Sequence, residues 1–453
     1  MGLDSLGIIQ VQTELLSNNI NITTHYFYKY PTIKKLAKKI DAKTNNYTEQ
    51  NSQIPEQFKH HADEVLNNIS TIDVNENVLG NVLLTGATGF IGMHILFELI
   101  HTTENKIYCL VRGNDYEFRL NKLKSNYKYY FNEDITPYIE NRVFIVGGDI
   151  SYINLKLEYD DYDFLKKNIS TIINAAAIVK HYGQFEDFEK NNIEGTKNIV
   201  DFAYENNIKL MHLSSISVSG NYLVKQNNRN VDFSENDLYI GQHYQDNNYV
   251  YSKMEAEKLI LKYMEKGLTA KILRIGIASG RFSDGFFQKG IEENAFYGRI
   301  KSIIKMHAIS DAMTLQNIEF TPVDLCAKAI VTLAKTSIGN NKIYHIYNHN
   351  LITIFKLLEA MKKIGINVDV LKSNDFNDYI LRLSKTEKNA LKGIINDLVY
   401  DENNLLTINY NFTVNVQSEY SKNYLHLLNF DWPIIDEEYL LKILKHMKDV
   451  NFI

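Results

Sequence analysis

The stretch VLLTGATGFIG, residues 82–92, joins a short apolar run to three glycines that are spaced three residues apart. The apolar run predicts a buried strand, and the residues that follow predict an amphipathic helix. Glycines suit the turn between them because the backbone must turn tightly and approach a pyrophosphate, which then rests on the helix N-terminus. A glycine turn without a ligand is the alternative, but strand, loop and helix together predict a dinucleotide-binding loop. Its residues are Thr85, Gly86, Thr88, Gly89, Phe90, Ile91 and Gly92.

Six more short apolar runs follow the first, and helical patterns separate them. This alternation predicts a doubly wound parallel sheet of the Rossmann type, covered by helices on both faces. We assign residues 80–350 to this α/β core and residues 351–453, where the strand signal fades, to a smaller, mainly helical C-terminal subdomain. The six runs are Lys106–Val111, Val143–Val146, Thr171–Ala175, Leu210–Ser214, Lys271–Ile275 and Ile343–Tyr347.

The residues after the next strands indicate which dinucleotide binds. Arg112 follows the second strand, where a site for NAD usually has an acidic residue that bonds the ribose hydroxyls. A guanidinium there suits a 2′-phosphate instead, so we expect NADPH, with Arg119 as a second candidate. Asp149 and Ile150 end the third strand beside the expected adenine. The small residues Ala175, Ala176 and Ala177 end the fourth and let the cofactor lie close.

Tyr249 and Lys253 are the candidate reacting groups. Their spacing puts them one helical turn apart on the same face. An ammonium beside a phenol lowers the pKa of the phenol, which can then donate a proton to a carbonyl oxygen as hydride arrives. We also assign both residues to the cofactor, because the lysine can hold the nicotinamide ribose. Tyr251 competes as the phenol but lies on another face of the helix.

Ser215 is the candidate for a second hydrogen-bond donor to the developing oxyanion. It lies at the end of the strand before the Tyr249 helix, and ligands of open α/β sheets bind at such strand ends. The chemistry alone leaves Ser214 and Ser217 open.

The order of these motifs resembles that of the extended short-chain dehydrogenase/reductases. Within them, the chain most resembles the thioester reductase domains that end nonribosomal peptide synthetases, including small-peptide aldehyde synthetases of the pyrazinone (aureusimine) type. The resemblance implies a catalytic trio of Ser215, Tyr249 and Lys253. Arg274-Ile275-Gly276 departs from the usual Arg-Pro-Gly, so the strand end beside the nicotinamide is expected to be slightly reshaped. The other matching motifs are Asn192-Ile193-Glu194-Gly195-Thr196 and Thr321-Pro322-Val323-Asp324.

Residues 1–42 resemble the C-terminal part of a peptidyl carrier domain, without the first helix of that domain. Gly2-Leu3-Asp4-Ser5-Leu6 resembles the phosphopantetheine attachment site, with Ser5 as the modified residue at a helix N-terminus, where the dipole favours a phosphodiester. Tyr28 to Ala37 resembles the last carrier helix and the turn before it. A plain helix cap at Asp4 or Ser5 is the alternative. Residues 43–79, which begin with a polar stretch, are predicted to be a linker.

Composition narrows the class of protein further. The net charge of −5 gives no electrostatic case for nucleic acid or an anionic membrane. No apolar stretch is long enough to span a membrane, and we find no secretory signal. The two cysteines, Cys109 and Cys326, lie far apart between apolar residues, which fits a reducing cytoplasm. No metal site is assigned.

The sequence therefore predicts reductive release of a carrier-bound peptidyl or aminoacyl thioester as an aldehyde, with the carrier and synthetase domains upstream in the same chain. Three alternatives remain. A fragment of a carboxylic or fatty acyl reductase would use the same chemistry, and a sugar-nucleotide enzyme would share the loop and the Tyr/Lys pair. The third is an NADPH-binding module without catalysis.

Overall fold

A computed structural model gives the fold of the chain. It describes residues 5–17, 20, 26–27, 30, 32–45, 53–61, 78–179, 184–220, 231–242, 244–245, 247–394, 398–400, 406–408 and 414–453. Gly2, Leu3 and Asp4 of the carrier motif lie outside these residues, as do Tyr28, Lys29 and Pro31. Ser5 begins the first helix, but its side chain is outside the described part.

Seven parallel strands form the central sheet, in the order β12-β7-β5-β4-β1-β2-β3. The order reverses between β1 and β4, which is where ligands of doubly wound folds bind. Each strand lies within one residue or so of a run that the sequence predicted, so the predicted fold class is confirmed. Their bounds are β1 Val82–Thr85, β2 Ile107–Val111, β3 Val143–Gly147, β4 Thr171–Asn174, β5 Lys209–Ser215, β7 Ala270–Ile275 and β12 Lys342–Ile346.

The remaining strands of the described part of the chain are short and form five separate pairs. In the C-terminal part, β15 and β16 form an antiparallel pair, and the first helix of the chain packs against β15. The bounds are β6 Val231–Phe233, β8 Ala278–Ser279, β9 Ala308–Ser310, β10 Asn317–Ile318, β11 Thr321–Pro322, β13 Ile352–Thr353, β14 Asp369–Leu371, β15 Leu398–Tyr400, β16 Leu406–Ile408 and β17 Val414–Val416.

Among the described residues of the N-terminal segment, α1 and α2 are helical, and the other described α-helices lie in the rest of the chain. A π-helix, Glu189–Glu194, precedes α7, and short 3₁₀ turns lie at Glu56–Phe58, Thr136–Tyr138, Ile153–Lys156, Ile216–Ser219, Ile291–Glu293 and Lys388–Leu391. The α-helices are α1 Ser5–Ser17, α2 Ile33–Asn45, α3 Phe90–Thr102, α4 Tyr116–Phe131, α5 Tyr159–Asn168, α6 Phe185–Phe188, α7 Gly195–Glu205, α8 Asn248–Met264, α9 Ala295–Met306, α10 Asp311–Thr314, α11 Val323–Ala334, α12 Ile354–Lys363, α13 Ser373–Thr386, α14 Glu419–Leu427 and α15 Glu437–Asp449.

Both faces of the sheet are covered because its strands are apolar on both sides. Val82 and Leu84 of β1 pack with α3 and α11 on one face, whereas Leu83 between them packs with α7 and α8 on the other. Lys271 of β7 is fully buried, and its ammonium donates to the carbonyls of Leu333, Thr336 and Ile338 at 2.8–3.0 Å. The Leu333 carbonyl lies in the last turn of α11, where the helix leaves carbonyls without partners, and the other two lie just after the helix.

A third hydrophobic cluster fills the C-terminal part, where α9, α12, α13 and α15 pack together. Phe90 of the glycine-rich loop also contacts this cluster, in an edge-to-face arrangement with Phe287 at 5.0 Å between ring centroids. This third cluster therefore adjoins the loop that opens α3. None of the described helices is long and apolar enough to cross a membrane.

Candidate active site at the carboxyl edge of the sheet

The glycine-rich loop is built so closely that side chains are excluded. Gly86 has φ +69°, and a Cβ atom on it would lie 2.7 Å from the backbone of Ala175 and Ala176. A Cβ on Gly92 would lie 2.1 Å from the Gly86 carbonyl oxygen. The loop and the end of β4 therefore pack backbone to backbone, and the N-terminus of α3 stays open to a ligand. This is the cradle that a pyrophosphate needs.

The Thr85 hydroxyl stabilises the start of this loop through two hydrogen bonds. It donates to Asn174 Oδ1 at 2.6 Å and accepts from the Ala176 N–H at 3.2 Å. The Asn174 amide lies 3.1 Å from His212 Nδ1. These bonds tie the ends of β1, β4 and β5 together, so the hydroxyl of Thr85 fixes the loop from inside the core.

Three cations lie near the end of β2. Arg112 is exposed, and Arg119 donates to the Gly113 carbonyl at 3.1 Å. The guanidinium of Arg119 covers Gly147, where a Cβ would meet its Cζ at 2.7 Å, and its buried Nε lacks a hydrogen-bond partner. The third is Lys122, whose pKa is lowered by partial burial and then by the charge of Arg112. Sequence reasoning missed Lys122, which lies three residues beyond Arg119 on α4.

Asp149 and Ile150 follow β3. The Asp149 carboxylate is half-buried and accepts from the backbone N–H and the hydroxyl of Ser151, at 3.0 and 2.8 Å. Ile150 is buried against Gly195, and its carbonyl accepts from Asn198 at 2.8 Å. Only Asp149 therefore has a polar group for a ligand, whereas Ile150 supplies apolar surface.

Ser214 and Ser215 end β5 on opposite faces of the strand. Ser214 donates to Glu257 at 2.5 Å, so its hydroxyl proton is already engaged in a hydrogen bond. Ser215 instead caps the 3₁₀ turn Ile216–Ser219, accepting from the Ser217 N–H at 3.1 Å. A side-chain hydrogen bond joins Ser215 to Tyr249. The sequence left Ser214 and Ser217 open beside Ser215. Ser214 bonds Glu257, Ser217 accepts from the Ser215 hydroxyl at 3.1 Å, and Ser215 is the serine bonded to the phenol.

Tyr249 lies in the first turn of α8, which begins after Asn247. The Asn247 carboxamide accepts from the N–H groups of Tyr249 and Val250, at 2.9 and 3.2 Å, and thereby fixes the start of the helix. Burial raises the pKa of the Tyr249 phenol, and the bond from Ser215 opposes this rise. The phenol is therefore protonated at neutral pH.

Tyr251 points elsewhere. Its ring stacks on Tyr244 with 6.1 Å between centroids and packs near Phe185 at 5.7 Å. The structure thus places Tyr249, and not Tyr251, beside Ser215.

Lys253 is buried one turn after Tyr249. Its ammonium donates to the Leu213 carbonyl of β5 at 2.7 Å. Burial lowers the pKa of Lys253 to about 8, and the nearby Glu257 carboxylate opposes this effect. His212 lies in the same region, and its pKa is well below the usual value because of burial and then the Lys253 charge. His212 is therefore neutral beside the cation.

A buried ion pair supports both the helix and the strand of this site. Arg274 of β7 and Glu257 of α8 are fully buried, with their closest atoms 2.8 Å apart. Glu257 also accepts from Ser214, and Arg274 lies 3.1 Å from His345 Nε2. The pair thus fixes α8 against β5 and β7 at the level of Ser215.

Asn192 and Glu319 are site neighbours that the sequence did not single out for a role. Asn192 lies in the π-helix, bonds both backbone groups of Ile178, and donates to Ser252 at 2.9 Å. Glu319 accepts from the Ile277 N–H at 2.9 Å, and burial raises its pKa to about 7. Their positions depend on contacts with segments that are distant in the sequence, so no local sequence pattern predicts them. The π-helix around Asn192 is a structural signal, since π-helices often mark functional sites.

Ile275 stands where the family usually has a proline, and the end of β7 keeps its strand pairing there. Ile275 continues β7 and pairs with Ser215 on one side and Ile346 on the other. A Cβ on Gly276 would lie 2.3 Å from Glu319 Oε1, so the glycine of this motif is required by the carboxylate beside it.

Comparison with known proteins gives the family. The NAD-binding family described as "Male sterility protein" matches residues 84–330, which includes the glycine-rich loop, Ser215, Tyr249 and Lys253. The chain belongs to this family. A solved thiolation-reductase di-domain of an archaeal nonribosomal peptide synthetase matches all of the chain at 31% identity, with a TM-score of 0.78 and 92% of that structure covered.

Two curated relatives are much longer than the matched region. A linear gramicidin synthase polypeptide of Brevibacillus parabrevis is 25% identical over 80% of the chain, and the match spans 7% of the synthase polypeptide. The large subunit of L-2-aminoadipate reductase from Candida glabrata is 23% identical over 84% of the chain and is matched over 30% of its length. The chain is therefore an extended short-chain dehydrogenase/reductase with a nicotinamide cofactor, of the type found as the reductase domain of nonribosomal peptide synthetases.

Proposed function

We propose that this reductase domain uses NADPH to release a peptidyl or aminoacyl group from a phosphopantetheine thiol as an aldehyde. The observation that supports the proposal is the bond between Ser215 and Tyr249, with the buried Lys253 one helical turn further along and bonded to Leu213 of β5, at the sheet edge that also holds the glycine-rich loop. Ser5 is the proposed attachment residue for the phosphopantetheine. The carrier and synthetase domains are proposed to lie upstream in the same chain.

The described residues fit a dinucleotide. Gly86 and Gly92 allow the loop to pack closely on the end of β4 and on itself, and the N-terminus of α3 that follows suits a pyrophosphate. Arg112, Arg119 and Lys122 offer positive charge for a 2′-phosphate, and Arg119 has a buried N–H without a partner. Ala175, Ala176 and Ala177 are small and half-buried beside the loop. When bound, the cofactor supplies a hydride to the carbonyl carbon.

The side chains of the trio then act on the carbonyl oxygen. Tyr249 and Ser215 donate hydrogen bonds to that oxygen as negative charge develops, which is a large contribution in a water-poor site. Tyr249 transfers its proton, and the Lys253 ammonium stabilises the phenolate that results. The hemithioacetal then breaks its C–S bond, so that the thioester and one hydride plus one proton yield an aldehyde and a free thiol.

A substrate panel tests the proposed function. We expect dipeptidyl pantetheine thioesters to be turned over with NADPH, with the aldehyde identified by mass. Fatty acyl thioesters and UDP-sugars serve as comparison substrates. Turnover of fatty acyl thioesters alone would support the acyl reductase alternative, and turnover of UDP-sugars would support the sugar-nucleotide enzyme. Turnover of none of the three substrate classes would support a binding module.

Substitution of Arg112, which follows β2, is expected to change the preference between NADPH and NADH. Arg112→Ser should raise the Kd of NADPH about tenfold to a hundredfold, because a charge-assisted hydrogen bond contributes roughly 1.5–3 kcal/mol. The Kd of NADH should stay unchanged, since NADH lacks the 2′-phosphate. Lys128→Ser, at the far end of α4 where the lysine bonds Asn132, is the matched control. Equal losses for both cofactors would contradict the assignment.

The rate of thioester reduction is expected to fall as the pH rises above the pKa of Lys253. The pKa of Lys253 is about 8, so its ammonium is present below that pH and is lost as the pH rises through it. A neutral lysine no longer stabilises the Tyr249 phenolate, so kcat/KM for the thioester should decline above about pH 8. The measurement is a pH profile of kcat/KM, with the Kd of NADPH followed over the same range. A profile that stays flat to about pH 10 would contradict this role of Lys253.

A further inference from the structure

Part of the stretch predicted to be a linker is packed on the reductase core. Ile54, Phe58 and His60 are 2–6% exposed, although they belong to a stretch with little else to bury. Ile54 and Phe58 join the hydrophobic cluster on the α7/α8 face of the sheet. We call residues 53–61 the anchor segment.

His60 is held from several sides. Its backbone N–H donates to Asn236 Oδ1 at 2.7 Å, and its carbonyl accepts from the same carboxamide at 2.9 Å. The ring Nε2 lies 2.6 Å from the Ile343 carbonyl of the edge strand β12. The ring also stacks on Tyr420 of α14, with 4.9 Å between centroids. Such a set of specific contacts exceeds what a passive linker needs.

Both ends of the anchor segment are also bonded to the core. Gln53 donates to the Tyr239 carbonyl at 3.3 Å, and the Lys342 ammonium of β12 donates to the Lys59 carbonyl. The receiving loop, residues 234–242, is itself fixed, because Arg274 donates to the Asp237 carbonyl at 2.8 Å. The segment is thus attached to the loop that leads into α8.

The attachment shortens the chain between the carrier helices and the core. Helix α2 ends at Asn45, and the anchor segment begins at Gln53, eight residues later. Eight residues span at most about 28 Å. Without the anchor segment, the next described attachment is Val78, whose N–H bonds the Lys335 carbonyl, 33 residues after Asn45. When α1 is released from β15, the carrier segment is held only by this tether. Its effective concentration then falls roughly as the −3/2 power of tether length, here by about eightfold.

We propose that residues 53–61 anchor the tether of the carrier segment, so that a thioester on Ser5 meets the Ser215–Tyr249–Lys253 site at raised local concentration. This proposal rests on the proposed function. The anchor segment acts by position and touches neither the substrate nor the cofactor.

The test compares a tethered substrate with a free one. His60→Ala and, from the receiving side, Asn236→Ala should each slow single-turnover reduction of an acyl-phosphopantetheinyl group on Ser5 by up to about eightfold. The kcat/KM for the free pantetheine thioester should change less than about twofold. His61→Ala is the matched control, since that neighbouring ring is 48% exposed. Equal losses on both substrates, or no loss on either, would overturn the proposal.

A distance measurement separates failure of the anchor from failure of the proposed function. Cys109 and Cys326 are buried, so spin labels can be directed to Ser5→Cys and Glu104→Cys, the latter residue being 96% exposed. His60→Ala should broaden the distance distribution between the labels whether or not the thioester is reduced. An unchanged distribution would contradict the anchor, whereas a broadened one without any thioester turnover would contradict only the proposed function.

Discussion

Tyr249→Phe is expected to lower kcat by about 10²–10⁴, because the variant loses the group proposed to protonate the carbonyl oxygen. The Tyr249 side chain is half-buried and bonded to Ser215. Desolvation keeps the pKa of the phenol above the usual value, so its proton is present at neutral pH. The ring itself still fills its place in the first turn of α8. We therefore expect the Kd of NADPH to change by less than about threefold. The measurement is kcat for a dipeptidyl pantetheine thioester with saturating NADPH.

Tyr251→Phe is the matched control for that experiment. Tyr251 lies two residues along α8 and stacks on Tyr244, away from Ser215. Its kcat should stay within about twofold of the wild type. A Tyr249→Phe variant with full NADPH-dependent turnover would exclude Tyr249 as the acid.

Arg274→Met is expected to reduce the free energy of unfolding by about 3–5 kcal/mol, because it leaves the fully buried Glu257 carboxylate without its cation. The loss should also loosen Ser214, which donates to that carboxylate. Urea denaturation, followed by tryptophan fluorescence and circular dichroism, measures the change. The pair Arg274→Met with Glu257→Leu should recover much of the stability, since replacing both ions removes the unpaired charge.

A surface ion pair provides the comparison for that stability measurement. Lys363 and Glu437 lie 2.6 Å apart but are about half exposed. Lys363→Met should therefore cost less than about 1 kcal/mol. If Arg274→Met also lowered the free energy of unfolding by less than about 1 kcal/mol, the buried pair would not hold α8 against the sheet.

The central sheet could be predicted from the sequence because each of its strands is a short apolar run that stands out between helical patterns. Val82–Thr85 and Ala270–Ile275 are buried along their whole length, so the apolar run and the strand coincide. The glycine-rich loop was equally visible, since its glycines lie between an apolar strand and a helix. Gly92 is required by its local contact with Gly86, whereas Gly86 is required by the backbone of Ala175 and Ala176 just after β4.

The site was predictable in outline but not in its details. Tyr249 and Lys253 lie on one helix, and their spacing alone sets their common face. Choosing between Ser214 and Ser215 required the position of Glu257, which is 43 residues from Ser214. Glu319 and Asn192 likewise act through contacts between distant segments, and no local pattern encodes such contacts. The packing of His60 depends on Asn236, 176 residues away.

The stoichiometry of a single reaction tests the central claim most directly. A dipeptidyl pantetheine thioester is incubated with the full chain and NADPH, and oxidised cofactor, free thiol and product are measured together. Reductive release to the aldehyde predicts one free thiol for each NADPH oxidised, with the aldehyde trapped as product. Thiol released without NADPH oxidation would show hydrolysis, and NADPH oxidised without thiol would show reduction of another group. Either result would contradict thioester reduction by this chain.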